Sequence, residues 1–129
     1  MSTDPVDGAA IYSELRGAEN SRRLLELSQG ADAHAAIASL ALDFVYGKVW
    51  SRDGLDRKQR SLVTIGVLIA LRQFSELENH MRIGLENGLS HREIEEAIVQ
   101  AAPYAGFPAA WSAATSLSDL AREAEGSRD

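Results

Sequence analysis

Apolar residues recur at helical spacing along almost the whole chain. Residues three and four apart lie on one face of an α-helix, whereas a half-buried strand alternates apolar and polar positions. The pattern therefore predicts an all-α protein. Its clearest stripe, over residues 31–50, predicts a helix packed along Ile37, Leu40, Ala41, Phe44, Val45 and Val49.

Two capping motifs predict where helices begin. Ser75 and Glu78, and later Ser90 and Glu93, have the S-x-x-E spacing of a capping box, in which two side chains satisfy free amides of the first turn. With the breaks in periodicity, these motifs divide the chain into about six helices. The predicted helices cover residues 9–28, 31–50, 56–71, 75–87, 90–102 and a last segment from 108 onwards.

Two further signals predict where helices end. Gly88, after Asn87, can adopt the left-handed conformation that closes a helix. Pro103 lacks an amide hydrogen, so we expect the preceding helix to end or kink near Ala102.

The central segment, Leu62 to Leu71, is apolar on all sides. It is about half as long as the roughly 20 residues that cross a bilayer, so we expect a core helix and no membrane partner. A small domain has little material to cover such a helix. We therefore expect a homo-oligomer, with the alternative that the first two helices cover it.

Composition limits the function further. The 129 residues carry a net charge of −6 and 13 scattered Lys and Arg, which argues against nucleic acid as a partner. No cysteine is present, which excludes disulfides and thiol chemistry. The acidic start lacks the basic, apolar character of a signal peptide, so we expect a cytoplasmic protein. We expect a single domain over residues 1–129, with its core at 31–121.

Glu76 and His80 form the candidate catalytic pair. At i and i+4 they share one face of a helix, and His80 falls on the inward stripe with Leu77 and Met81. A carboxylate beside an imidazole favours its protonated form, which suits a general acid of ordinary pKa about 6.5. The alternative is a buried structural histidine beside an acid that favours the helix start.

Other site types have weaker support. Neither H-E-x-x-H nor a Cys/His cluster occurs, so we expect no metal, and nothing indicates a nucleotide or other cofactor. His34 and His91 fit surface positions. Arg60 is a cation at a helix start, where a nearby anion would explain it. Trp50, Arg52 and Tyr104 flank helix ends.

The segment from Val45 to Ala110 resembles the carboxymuconolactone decarboxylase family. The motifs W-S-R-x-G-L, R-S-L-V-T, E-L-x-x-H, N-G-L-S and Y-A-G-F-P-A-A carry the resemblance in this order. It implies the helical fold of the alkyl hydroperoxidase D-like proteins, assembled as dimers, trimers or hexamers. The peroxidase branch uses C-x-x-C-x-x-x-H, but Gln73 and Glu76 stand at its cysteine positions. Thiol peroxidase activity is therefore excluded.

The decarboxylase branch, which shares E-L-x-x-H, implies a cofactor-independent lyase of aromatic catabolism acting on a small anionic lactone. His80 would be the proton donor, oriented by Glu76. Arg52 or Arg60 would bind a substrate carboxylate, and the aromatic rings of Trp50 and Tyr104 would exclude water.

Trp111 and Ser112 depart from the pattern, because decarboxylases of the pathway carry an N-H pair there. The substrate could therefore be another unsaturated or β-keto acid. An isomerase or hydratase acting on an unsaturated acid stays open, as does a non-catalytic helical assembly protein.

Overall fold

The computed structural model describes residues 7–126, which form seven helices and no strand. The prediction of an all-α protein is confirmed, with one helix more than the sequence indicated. The helices are α1 (Gly8–Arg16), α2 (Ala18–Ser28), α3 (Ala33–Leu40, continued by a π-helical segment over Ala41–Val49), α4 (Arg57–Ala70), α5 (Phe74–Glu86), α6 (His91–Ala105) and α7 (Phe107–Gly126).

The described residues divide into two compact units, 7–56 and 57–126. In the first unit, the expected single helix over residues 9–28 is two helices. They separate at Gly17, whose φ of 89° belongs to a region that L-residues avoid. The amide of Gly17 donates to the carbonyl of Ser13, and this bond closes α1. The prediction of one continuous helix was therefore wrong.

The apolar stripe expected to pack along α3 faces outward in this chain. Ile37, Leu40 and Phe44 are 66%, 65% and 58% exposed. The π-helical segment has more residues per turn than an α-helix. Leu42 and Tyr46, four residues apart, therefore lie on the same, buried side of it. Buried positions in this helix and just after it are Ala35, Ala38, Leu42, Tyr46, Gly47 and Trp50.

The second unit contains α4 to α7 around one hydrophobic core. Ile65 and Ile69 of α4 pack with Leu77 and Met81 of α5. Only one face of α4 is covered in this chain, because Val63 and Val67 are half or more exposed. The remaining core positions are Leu89, Ile94, Ile98, Ala109, Ala110, Ala113, Leu117 and Leu120.

The helix ends test the capping predictions. The box at Ser90 and Glu93 is confirmed, with both reciprocal hydrogen bonds present. The box at Ser75 was wrong, because α5 already begins at Phe74 with Gln73 at its N-cap, and no side chain caps it. The predicted helix end near Ala102 was also wrong, since α6 continues to Ala105; the alternative, a kink at this point, stays a prediction. Pro103 lies in the last turn, where few backbone bonds follow it.

Over residues 7–126, no helix has the length and apolar character needed to cross a membrane.

Candidate functional site

The structure brings Glu76 and His80 together on α5. Oε2 of Glu76 lies 4.0 Å from Nε2 of His80, and the two residues are one helical turn apart. This distance permits an ion pair when the imidazole is protonated but exceeds a direct hydrogen bond. A small side-chain rotation would be needed to close the gap.

The two members of this pair differ in their contact with solvent. The His80 side chain is 10% exposed, whereas that of Glu76 is 64% exposed. His80 points inward because Leu77, Met81 and Gly84 on the same face are also buried. Its other ring nitrogen, Nδ1, is buried and makes no hydrogen bond to the described residues. The pair therefore joins a sheltered imidazole to a carboxylate at the protein surface.

A tight turn between α4 and α5 determines where this face begins. The amide of Gln73 donates to the Leu68 carbonyl at 3.0 Å, and that of Arg72 donates to the Ile69 carbonyl at 3.1 Å. These two bonds form a Schellman motif, with Arg72 in the left-handed conformation at φ 57°. The turn places Glu76 in the first turn of α5, where a carboxylate is favoured by the helix dipole.

The opposite end of α5 is tied to α4 by a polar contact. Nδ2 of Asn87 donates to Oγ of Ser61 at 2.9 Å, and Ser61 is completely buried. The helices approach closely here, because a Cβ on Gly84 would lie 3.6 Å from Ile65 and 3.7 Å from Ser61. Sequence reasoning used Asn87 only as a helix-end signal. The signal that it missed was Ser61, a small polar residue directly before the apolar segment of α4.

The other predicted site residues lie in several environments. Arg60 is partly buried in the first turn of α4, and Tyr104 is 86% exposed on α6. Trp50, in the first unit, is 5% exposed and ends the π-helical segment, and Arg52 follows it in an exposed position. The assignment of these four residues to substrate binding stays a prediction.

Two histidines outside the pair are at the surface, as expected. His34 is exposed, and His91 pairs with Glu95 at 3.1 Å along α6. Trp111, where a family histidine segment was expected, is 78% exposed. In the region covered by the structure, no group of three or more His, Cys, Asp or Glu is arranged to hold a metal ion.

Three surface cavities of the second unit are lined by other side chains. The largest, of about 680 Å³, lies between α5 and α7 beside the ion pair of Arg82 and Glu123. A second, of about 260 Å³, lies between α6 and α7. A third, of about 460 Å³, is apolar and contains Phe107 and Trp111. None of these three cavities is lined by Glu76 or His80.

A known protein family matches most of this chain. The model of the family "Carboxymuconolactone decarboxylase family" matches residues 33–119, which include the Glu76 and His80 pair. This match crosses the boundary between the two compact units.

Three curated relatives were found. A 4-carboxymuconolactone decarboxylase from Acinetobacter baylyi is 39% identical over 102 residues, 79% of this chain and 75% of the relative. A nitrosuccinic acid decarboxylase from Metarhizium robertsii is 46% identical over 69 residues, 54% of this chain and 48% of the relative. An uncharacterised 15.0 kDa protein from Paracoccus denitrificans is 37% identical over 70 residues, 53% of this chain and 52% of the relative. The matches therefore span about half the length of the second and third relatives.

The family match covers most of the chain, and the first relative is similar over most of its own length. The cysteine-free sequence agrees with a decarboxylase-like enzyme and excludes thiol peroxidase chemistry. This protein is a decarboxylase-like enzyme that belongs to the carboxymuconolactone decarboxylase family.

Proposed function

We propose that this protein is a cofactor-independent decarboxylase acting on a small unsaturated lactone acid such as carboxymuconolactone. The observation that carries the proposal is the contact between the surface carboxylate of Glu76 and the sheltered imidazole of His80. A place in the catabolism of aromatic compounds is part of the proposal.

The chemistry of such a substrate explains why two side chains could suffice. The bond from the ring carbon to the carboxylate carbon breaks, and the carboxylate leaves as CO₂. Its bonding electrons move through the ring alkene to the lactone carbonyl and form a dienolate. One proton then adds to carbon and gives the enol-lactone product. The protein must stabilise the dienolate oxygen and deliver that proton.

His80 would act as the proton donor and Glu76 as the residue that orients and charges it. Proton delivery leaves His80 neutral, and the exposed Glu76 gives water a route by which the imidazole regains a proton. Arg52 or Arg60 would bind a carboxylate of the substrate. Trp50 and Tyr104 would exclude water from the dienolate.

The names of two relatives support this substrate class. A carboxymuconolactone and a nitrosuccinic acid both place a carboxylate near a group that accepts electrons, an unsaturated lactone in one and a nitro group in the other. Loss of CO₂ from either produces a stabilised carbanion. The shared requirement is a proton donor beside an electron sink that the substrate supplies.

Exposed apolar surface supports a homo-oligomer, as a dimer, trimer or hexamer. Tyr104, Phe107 and Trp111 are 86%, 76% and 78% exposed. Three aromatic side chains exposed to this extent present roughly 400–500 Å². That is about half of the ~800 Å² that each partner contributes to a standard interface. A second copy would cover this surface, and sedimentation velocity would detect the assembly.

The test combines the purified protein with carboxymuconolactone in D₂O. We expect CO₂ release and an enol-lactone that carries one deuterium on carbon. His80→Ala should lower kcat by about 10²- to 10⁴-fold, the usual contribution of a general acid. Asn79→Ala, a neighbouring substitution on α5, is the matched control for folding.

The outcomes separate the alternatives. A product formed without CO₂ would identify an isomerase or hydratase. Unchanged turnover in His80→Ala would remove the role assigned to the imidazole. Complete inactivity toward lactone and nitro acids, together with a stable assembly, would favour a non-catalytic helical protein.

A further inference from the structure

Arg72 has an unusual backbone conformation. Among the described residues, it is the non-glycine residue with a positive φ, at 57°. It follows the end of α4 and immediately precedes Gln73, the N-cap of α5. The conformation is disfavoured for an L-residue because its Cβ approaches the following carbonyl oxygen.

The same chain contains a direct comparison. Helix α5 also ends in a Schellman motif, in which Gly88 donates to the Leu85 carbonyl at 3.1 Å and Leu89 donates to the Gly84 carbonyl at 2.9 Å. Gly88 is the residue type expected at this position. The turn after α4 makes the equivalent two bonds with Arg72 in place of a glycine. The hydrogen bonding of the turn therefore does not require an arginine.

Helix dipoles do not explain the guanidinium either. Arg72 lies at the C-terminal end of α4, where a cation is favoured, and at the N-terminal end of α5, where a cation is disfavoured. The two effects oppose each other. Its side chain is exposed and makes no ion pair or side-chain hydrogen bond within residues 7–126.

The position of Arg72 relates it to the candidate catalytic pair. Glu76 is in the first turn of the helix that Arg72 precedes, and its carboxylate lies 4.0 Å from His80. The start of α5 has no side-chain cap. A guanidinium and a helix start both favour an anion on this part of the surface.

The chemistry of the reaction decides which anion a cation should hold. A carboxylate that leaves as CO₂ loses its charge, so a cation bound to it would stabilise the ground state more than the transition state. A carboxylate that remains in the product keeps its charge throughout. Both substrates named for the relatives are dicarboxylic acids, so each retains one carboxylate.

We propose that Arg72 binds the carboxylate that the substrate retains, and so selects dicarboxylic acids for this site. The inference rests on the proposed function. It adds a specificity-determining residue two positions before the helix that carries Glu76 and His80. Arg72 binds this group through the paired hydrogen bonds that a planar guanidinium makes to a carboxylate.

The experiment compares wild type, Arg72→Gly and Arg72→Lys on carboxymuconolactone and on the analogue whose retained carboxylate is a methyl ester. With the free acid, we expect KM to rise about 10- to 100-fold in Arg72→Gly, with kcat within about threefold of wild type. Arg72→Lys should fall between them, because an ammonium keeps the charge and loses the fork. With the ester, wild type and Arg72→Gly should have the same KM.

A purely structural role for Arg72 predicts a different result, in which KM changes equally for acid and ester. That result, or an unchanged KM for the acid, would overturn the inference. Arg92→Ala removes an exposed arginine of α6 and should leave both KM values unchanged.

A binding measurement separates this inference from the proposed function. Where wild type turns over the lactone, the KM comparison decides. Where it does not, the proposed function fails and calorimetry with adipate, a dicarboxylate without an electron sink, decides. Weaker adipate binding in Arg72→Gly would support the inference, whereas equal binding or none by wild type would overturn it.

Discussion

Replacement of Arg72 by glycine should stabilise the fold and weaken the binding of the substrate. The substitution keeps the two hydrogen bonds of the Schellman turn, because both are donated by backbone amides. It removes a Cβ from a backbone at φ 57° and a guanidinium that has no ion-pair partner within the described residues. Stability and substrate binding should therefore change in opposite directions, as at other strained functional sites.

The expected stabilisation is the difference between two terms. The left-handed conformation costs an L-residue about 1–2 kcal/mol. Glycine gives back about 0.4–1 kcal/mol, because it increases the conformational entropy of the unfolded chain. The net gain is about 0.5–1 kcal/mol. For a chain of this length it corresponds to a rise in Tm of about 2–5 °C.

Urea unfolding followed by circular dichroism measures the gain, with both proteins at one concentration because assembly would add to stability. Gly88→Ala is the reciprocal control. It places a Cβ at φ 100°, where the nearest atom is Cδ of Lys58 at 3.6 Å, an ordinary contact. It should therefore destabilise through the backbone alone, by about 1 kcal/mol or more. Loss of stability in Arg72→Gly would show that the arginine side chain supports the turn, and would refute the reasoning.

Three further predictions concern stability. Gly8→Ala should lower Tm strongly, because a Cβ on Gly8 would overlap a backbone carbonyl of the π-helical segment. Gly66→Ala in α4 should instead raise the free energy of unfolding by about 0.5–1 kcal/mol, because a Cβ there meets open space. Asn87→Ala should cost about 1–2 kcal/mol, and a double-mutant cycle with Ser61→Ala should show coupling between them. The pKa of Glu93 is lowered because its carboxylate accepts the N-cap amide, so its contribution is present above the unfolded pKa of about 4.3 and lost as pH falls through the lowered value. Acid titration of wild type against Glu93→Gln would detect this loss, and identical profiles would contradict it.

Helix ends were predictable where their signals acted locally. The capping box at Ser90 formed between partners that lie three residues apart, directly after the turn that closes α5 at Gly88. The same motif at Ser75 did not form, because the tight turn at Arg72 places the N-cap of α5 at Gln73, two residues earlier. No glycine marks that turn, so the sequence carried no sign of it. The start of α5 therefore depends on a left-handed residue that the residue type does not indicate.

The buried face of α3 was not predictable from periodicity alone. A stripe of large apolar residues normally indicates the core side of a helix. Here that stripe is exposed, and the small residues Ala35 and Ala38 are buried. A homo-oligomer would reconcile the two, since the stripe would pack against another copy. Periodicity identifies an apolar face but does not say which molecule covers it.

Only part of the candidate site was predictable from the sequence. The contact between Glu76 and His80 follows from one turn of one helix, so sequence spacing was sufficient to predict it. Which substrate reaches the imidazole depends on groups that only the fold brings near. The exposed carboxylate of Glu76 lies 4.0 Å from the imidazole of His80, so an anion that binds beside this pair must overcome like-charge repulsion. A cation near this pair would offset the repulsion, and the role proposed for Arg72, just before the start of the same helix, would supply it.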